Sequence, residues 1–88
     1  MKVDFVLDLV RHSDWVPQKF LKKLSGESGL WEVRVRTSFA NLRLLGFFAK
    51  EGDLVLVSGF FKKSAKTPLY EIQQAREMIR KCQKIHAE

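Results

Sequence analysis

Five cationic side chains fall in three short stretches of this chain. Arg34 and Arg36 lie in "WEVRVR", Arg43 in "NLRLLGFF", and Lys62 and Lys63 in "GFFKKSAKTP" (59–68), which also carries Lys66 and Thr67. Lysines beside the free backbone N–H groups of a helix start attract phosphate. A lysine-rich loop that merely keeps a strand edge soluble has the same composition. The arginines shift that balance. Arg34 and Arg36 are two residues apart and so share a strand face, with Arg43 on the following strand. Such a face is costly to bury without anions. The anions could be internal, from Glu32, Asp53 and the acids of a helix, or they could be the phosphates of an RNA backbone gripped by a cationic sheet. Phe47, Phe60 and Phe61 stand near enough in sequence to stack on bases, although aromatics in strands are more often core.

The elements that must position these groups follow from the pattern. Residues 2–11, "KVDFVLDLVR", fit a helix with Val3, Val6, Leu7 and Val10 on one face, and fit strand alternation nearly as well; helix is preferred. Pro17 breaks the chain, and a short helical turn with Phe20, Leu21 and Leu24 is expected before the loop "SGESG" (25–29). Three strands follow at roughly 30–37, 41–49 and 54–61, joined by "TSFAN" and by "KEGD", where Gly52 can take positive φ. In the first, Trp31, Val33 and Val35 alternate with Glu32, Arg34 and Arg36. The third, "LVLVSGFF", is almost continuously apolar and reads as a central strand buried on both faces. The short turns make this an antiparallel meander. A helix over roughly 68–85 starts with Thr67 as N-cap and Pro68 as first residue, with Glu71 in its first turn. Ile72, Ala75, Ile79 and Cys82 form its buried stripe, flanked by Leu69 and Met78, while Arg76, Arg80, Lys81 and Lys84 face outward. The fold class expected is α+β: a small antiparallel sheet of three or more strands, with N-terminal helices and one C-terminal helix.

The 88 residues allow one domain, spanning 1–88. With 45% hydrophobic and 30% charged residues the composition is that of a folding chain. The net charge of +6 favours an anionic partner, and it is uneven. Residues 1–58 hold nine Lys/Arg against seven Asp/Glu, whereas residues 59–88 hold seven against three. The lone Cys82 excludes an internal disulfide, and its most natural role is packing; with a reducing compartment as default, the chain reads as cytoplasmic. His12 and His86 have no partners at metal-ligand spacing, so neither metal nor cofactor is expected. No apolar run approaches a membrane span and the N-terminus has no signal-peptide layout.

"GLWEVRV", then "LRLLGFF", then "GFFKKSAKTPLYEIQQA" resemble the RelE/ParE superfamily of bacterial toxins, most closely its HigB-like, phage-derived branch. The resemblance runs from about residue 2 to about 82, and its last segment is the most specific. It falls on Trp31, Glu32, Arg34, Arg36, Arg43, Phe61, Lys62, Lys63, Lys66, Thr67, Pro68 and Glu71. It implies an mRNA interferase that cleaves messenger RNA on the ribosome, and a helix-turn-helix antitoxin as partner. Members typically carry a further strand and helix ahead of the segment matching residues 2–24. On that comparison the chain is N-terminally short, which leaves a sheet edge and an apolar face seeking cover and implies a homo-oligomer.

The chemistry implied is transfer of an RNA phosphate to its own 2′-oxygen. It needs a base for the 2′-hydroxyl, cations for the developing charge and an acid for the leaving oxygen, and it requires no metal. The resemblance assigns the charge stabilisation to Arg34, Arg36, Arg43, Lys62 and Lys63. The base is Glu32 or a lysine of lowered pKa. Lys66, Thr67, Arg76 and Arg80 are expected to contact RNA. Two other functions share the resemblance. One is a catalytically impaired toxin that binds antitoxin or nucleic acid; the other is a gyrase inhibitor of the ParE kind.

Overall fold

The computed structural model describes residues 2–12, 16–24, 29–63 and 66–86. Residues 13–15, most of the expected "SGESG" loop (25–28) and residues 64–65 of the lysine segment lie outside the described residues. The chain runs α1 (Lys2–His12), β1 (Leu21–Lys23), β2 (Trp31–Arg36), β3 (Asn41–Phe48), β4 (Leu54–Phe61) and α2 (Leu69–His86). The four strands form one antiparallel sheet in the order β1-β2-β3-β4. This is an α+β fold of the RelE-like kind, with one helix ahead of the sheet where more than one was expected.

The strand period places the two helices on opposite faces. Val33 and Val35 are fully buried and pack with Leu42 and Leu44 against Val6, Leu7 and Val10 of α1. Leu45, the next residue along β3, turns to the other face. There it meets Leu30, Val57 and Phe60 together with Ile72, Ala75 and Ile79 of α2. The helical stripe read from the sequence is therefore the packing face. Leu69 and Met78 are its exceptions, being exposed near the helix margin.

Three other expectations change. Residues 18–24 are not a helical turn. The Pro17 carbonyl accepts from the amides of Phe20 and Leu21, which closes one turn, and the chain then extends as β1. Leu21, Lys22 and Lys23 pair with Val33, Glu32 and Trp31, so the open edge of β2 overrides the local helical pattern. Secondly, β4 is an edge strand and not a central one. None of its residues is fully buried, and Leu56 and Phe61 are exposed. Its apolar run is interrupted in register by a bulge. Gly46 faces Leu56 and Leu45 faces Ser58, leaving Val57 as the extra residue. That extra residue reverses the strand's parity, so Val57 and Phe60, three apart, both reach the α2 face. Gly46 is required at this point, because a Cβ there would stand 2.1 Å from the Val55 carbonyl oxygen. Thirdly, α2 starts one residue later. The amide of Ile72 bonds the Pro68 carbonyl, which puts Pro68 at the cap position and frees the Thr67 hydroxyl for another partner. The β3–β4 turn is as expected, with Gly52 at φ 90°.

Candidate functional site

The face of β2 that carries Glu32, Arg34 and Arg36 is the face α2 covers, but α2 begins beside it. The residue just ahead of the helix cap, Thr67, is thus brought over the strand. Glu32 is fully buried. Its Oε1 accepts from Arg34 Nε at 2.9 Å and lies 3.4 Å from Arg43 Nε. Its Oε2 accepts the Thr67 hydroxyl at 2.6 Å. One carboxylate thereby ties together β2, β3 and the start of α2. It also solves a local problem. Arg34 and Arg43 are direct cross-strand partners, and like charges so placed repel unless a counter-charge sits between them.

Arg43 is the buried cation of the pair, at 4% exposure. Its Nη1 donates to Asn41 Oδ1 (3.3 Å) and to the Leu42 carbonyl (3.2 Å), while its Nε is close to Glu32 without a well-aligned hydrogen bond. Arg34 is half-buried; its Nη1 also reaches the Gln18 carbonyl at 3.4 Å. Arg36 is exposed and donates Nε to the same Asn41 oxygen at 3.2 Å. Asn41 also fixes the end of β4, since its carbonyl accepts the Lys62 amide at 2.6 Å.

The electrostatics follow from this arrangement. Burial pushes the Glu32 carboxyl up, but the Thr67 and Arg34 hydrogen bonds and the charges of Arg34 and Lys62 outweigh it, and the group sits below its ordinary value. Burial pushes Arg43 down, with Arg34 and Arg36 adding to the effect against the pull of Glu32. Burial likewise lowers Lys62; Glu32 opposes that shift, and Arg43, Arg34 and Lys22 reinforce it. Arg34, Arg43 and Lys62 thus act directly on the Glu32 carboxylate, with Arg36 beside Arg43 and Lys22 beside Lys62. Asp53 belongs to the far β3–β4 turn and does not join them.

The sequence-derived residues divide accordingly. Glu32, Arg34, Arg36, Arg43, Lys62 and Thr67 come together. Lys63 is exposed and lines a cleft with Arg36 and Lys62, and Lys66 is exposed between β4 and α2. Arg76 and Arg80 are exposed further along α2, where Arg80 Nη2 pairs with Glu77 at 3.2 Å. Sequence reasoning missed Lys22 and Asn41. Lys22 was hidden by the helical reading of its segment. Asn41 was within reach, because a four-residue turn at 37–40 makes it the register partner of Arg36. Among the described residues no three His, Cys, Asp or Glu groups gather as metal ligands, and no helix is long and apolar enough to cross a membrane.

A four-stranded antiparallel sheet with a helix on each face and a cationic cluster held by one buried carboxylate defines the class: a small α+β protein of RelE-like fold. Residues 1–80 match the family described as Phage derived protein Gp49-like (DUF891), and the chain belongs to that family, which is related to the RelE/HigB-like toxins. No curated protein and no solved structure matches the chain. Membership associates it with toxins of toxin–antitoxin systems, and so with an antitoxin partner.

Proposed function

We propose that this protein is the toxin of a type II toxin–antitoxin system, of the HigB-like branch, and that it cleaves messenger RNA on the ribosome. The observation that carries the reading is the cationic cluster in which Arg34 and Arg43 share the one buried Glu32 carboxylate while Arg36, Lys62 and Lys63 line the adjoining cleft. A cluster so unbalanced is completed by an anion of several charges, and an RNA phosphodiester and its neighbours supply one.

In this reading Lys62, half-buried and more easily deprotonated than an ordinary lysine, takes the proton of the 2′-hydroxyl. The 2′-oxygen attacks the adjacent phosphorus and the bond to the 5′-oxygen breaks. Lys63 returns a proton to that oxygen, giving a 2′,3′-cyclic phosphate and a 5′-hydroxyl. Arg34 and Arg36 stabilise the negative charge that develops on the non-bridging phosphate oxygens. Glu32 has no exposed oxygen and is held ionised by Arg34 and Thr67, which suits it to position the arginines and not to accept the 2′ proton. Arg43, equally buried, acts through Asn41 and Glu32.

The antitoxin would be a helix-turn-helix protein that blocks this face. A second copy of the chain would pair along β4, an eight-residue edge with Leu56 and Phe61 exposed. The test is purified protein with ribosomes programmed by a defined message. Specific cuts with cyclic-phosphate ends are expected. Intact message alongside loss of DNA supercoiling by gyrase would replace the reading with gyrase poisoning.

A further inference from the structure

The turn between β2 and β3 carries the most exposed large apolar side chain among the described residues. Phe39 is 97% exposed, and Phe61 at the end of β4 is 67% exposed. Both line one open cleft of about 570 Å³, together with Arg36, Asn41, Lys62 and Lys63. That volume falls within the range of small-ligand clefts, roughly 300–1,000 Å³.

Phe39 contributes no burial to the fold, and the turn does not require it. Thr37 builds the turn: its amide donates to the Ala40 carbonyl (2.9 Å), and its Oγ1 accepts from the amides of Phe39 (3.1 Å) and Ala40 (3.0 Å). Every one of those bonds uses backbone or Thr37, so a Ser, Asn or Gly at position 39 would serve the turn equally well. Single exposed apolar residues are common and call for no explanation. Here two aromatics share a cleft with three cations, and the turn holds the backbone of one of them in place. Aromatic faces interleaved with cations are how single-stranded nucleic acids are bound: the cations track phosphates and each ring takes a base.

We infer that this cleft is a nucleotide subsite, in which Phe39 and Phe61 stack on an unpaired base while Arg36 and Lys63 hold the phosphates that flank it. The inference rests on the RNA reading of the adjoining cationic cluster, and it assigns the base next to the reacting phosphate to the β2–β3 turn. Charge selects the partner: a purely apolar peptide gains nothing from Arg36, Lys62 and Lys63, whereas a nucleotide uses both halves of the cleft.

The experiment compares a short single-stranded oligoribonucleotide with an abasic oligomer of the same phosphate count, by fluorescence anisotropy at low salt. Phe39→Ala is expected to weaken binding of the normal oligomer roughly ten- to hundredfold and to leave the abasic one unchanged. Phe39→Trp should retain affinity, and Phe39→Leu, apolar but without a π face, should behave like alanine. Full exposure makes misfolding of these variants a minor concern, and circular dichroism checks it. Wild-type affinity for both oligomers with no effect of Phe39→Ala would overturn the subsite while leaving the RNA reading in place. Equal losses on both oligomers would overturn stacking in the same way. No binding of either oligomer by the wild-type protein would overturn the RNA reading itself, and the subsite with it.

Discussion

Replacing Glu32 by Gln isolates the charge at the centre of the site. The amide is nearly isosteric and keeps one oxygen that can accept from Arg34 or Thr67, but it removes the negative charge that pairs with Arg43. Arg43 remains at 4% exposure, and Arg34 sits directly across from it. Breaking a buried ion pair from one side typically costs about 3–5 kcal/mol, because the other charge stays buried. The lower end is expected here, about 3 kcal/mol, since Arg34 is partly exposed and Arg43 keeps its bonds to Asn41 and Leu42. That is a large share of the stability of a domain this size. Urea unfolding at pH 7 measures it. The pH dependence supplies a second readout. Glu32 is more acidic in the fold than its ordinary value of 4.5, so its contribution is complete above about pH 4.5 and disappears as pH falls through the depressed folded value. Wild type and Glu32→Gln should therefore converge in stability below pH 4.5. Adding Arg43→Met to Glu32→Gln should recover most of the loss, because no buried charge then lacks a partner. A single substitution costing under about 1 kcal/mol, or a gap constant down to low pH, would refute the role of Glu32 as the site's counter-charge.

Three further outcomes are expected. Gly46→Ala drives a Cβ to 2.1 Å from the Val55 carbonyl oxygen and 3.0 Å from Leu56 Cα, all backbone, and should cost about 1–3 kcal/mol or more. Gly59→Ala crowds the end of the Leu44 side chain at 2.8 Å and meets the Arg43 carbonyl oxygen at an ordinary 3.6 Å, and should cost less; thermal melts of the pair would show a reversed order if the close approach at Gly46 does not matter. Lys62→Ala should slow ribosome-programmed cleavage about 10²–10⁴-fold. Lys62→Arg, which keeps the charge but does not deprotonate, should also erase the rise in rate with pH that a lysine of lowered pKa confers; a retained profile would move the base elsewhere. If Arg34, Arg36, Lys62 and Lys63 each neutralise a phosphate, affinity for single-stranded RNA should fall roughly fiftyfold between about 50 and 200 mM salt, and titrations that stay flat would remove RNA from the site.

Much of the architecture was legible because its signals are local. The alternation of β2, the positive-φ glycine of the β3–β4 turn and the 3-4-3 stripe of α2 follow from the period of each element, and each appears where the pattern put it. The grouping of Glu32, Arg34 and Arg36 on one face follows because residues two apart on a strand share it, while the β2–β3 register sets Arg43 opposite Arg34 and Lys62 follows the end of β4. What tertiary structure decided was everything that depends on a neighbour. Three residues of β1 carry too little propensity to declare themselves, and they became strand because the edge of β2 had hydrogen bonds to give; that pairing is what set Lys22 opposite Glu32. The apolar run of β4 reads as a buried centre, yet strand order placed it at the edge, where Leu54 packs towards α1 while Val57 and Phe60, brought to one face by a bulge, pack towards α2. Thr67 had the chemistry of a helix cap, but a buried carboxylate within reach is a stronger acceptor than anything the helix start offers its hydroxyl, so the cap moved to Pro68 and Thr67 locked α2 to the site. A residue's type fixes which interactions it can make. Which one it makes is settled by the partner that the fold delivers and by the cost of leaving that partner buried and unpaired.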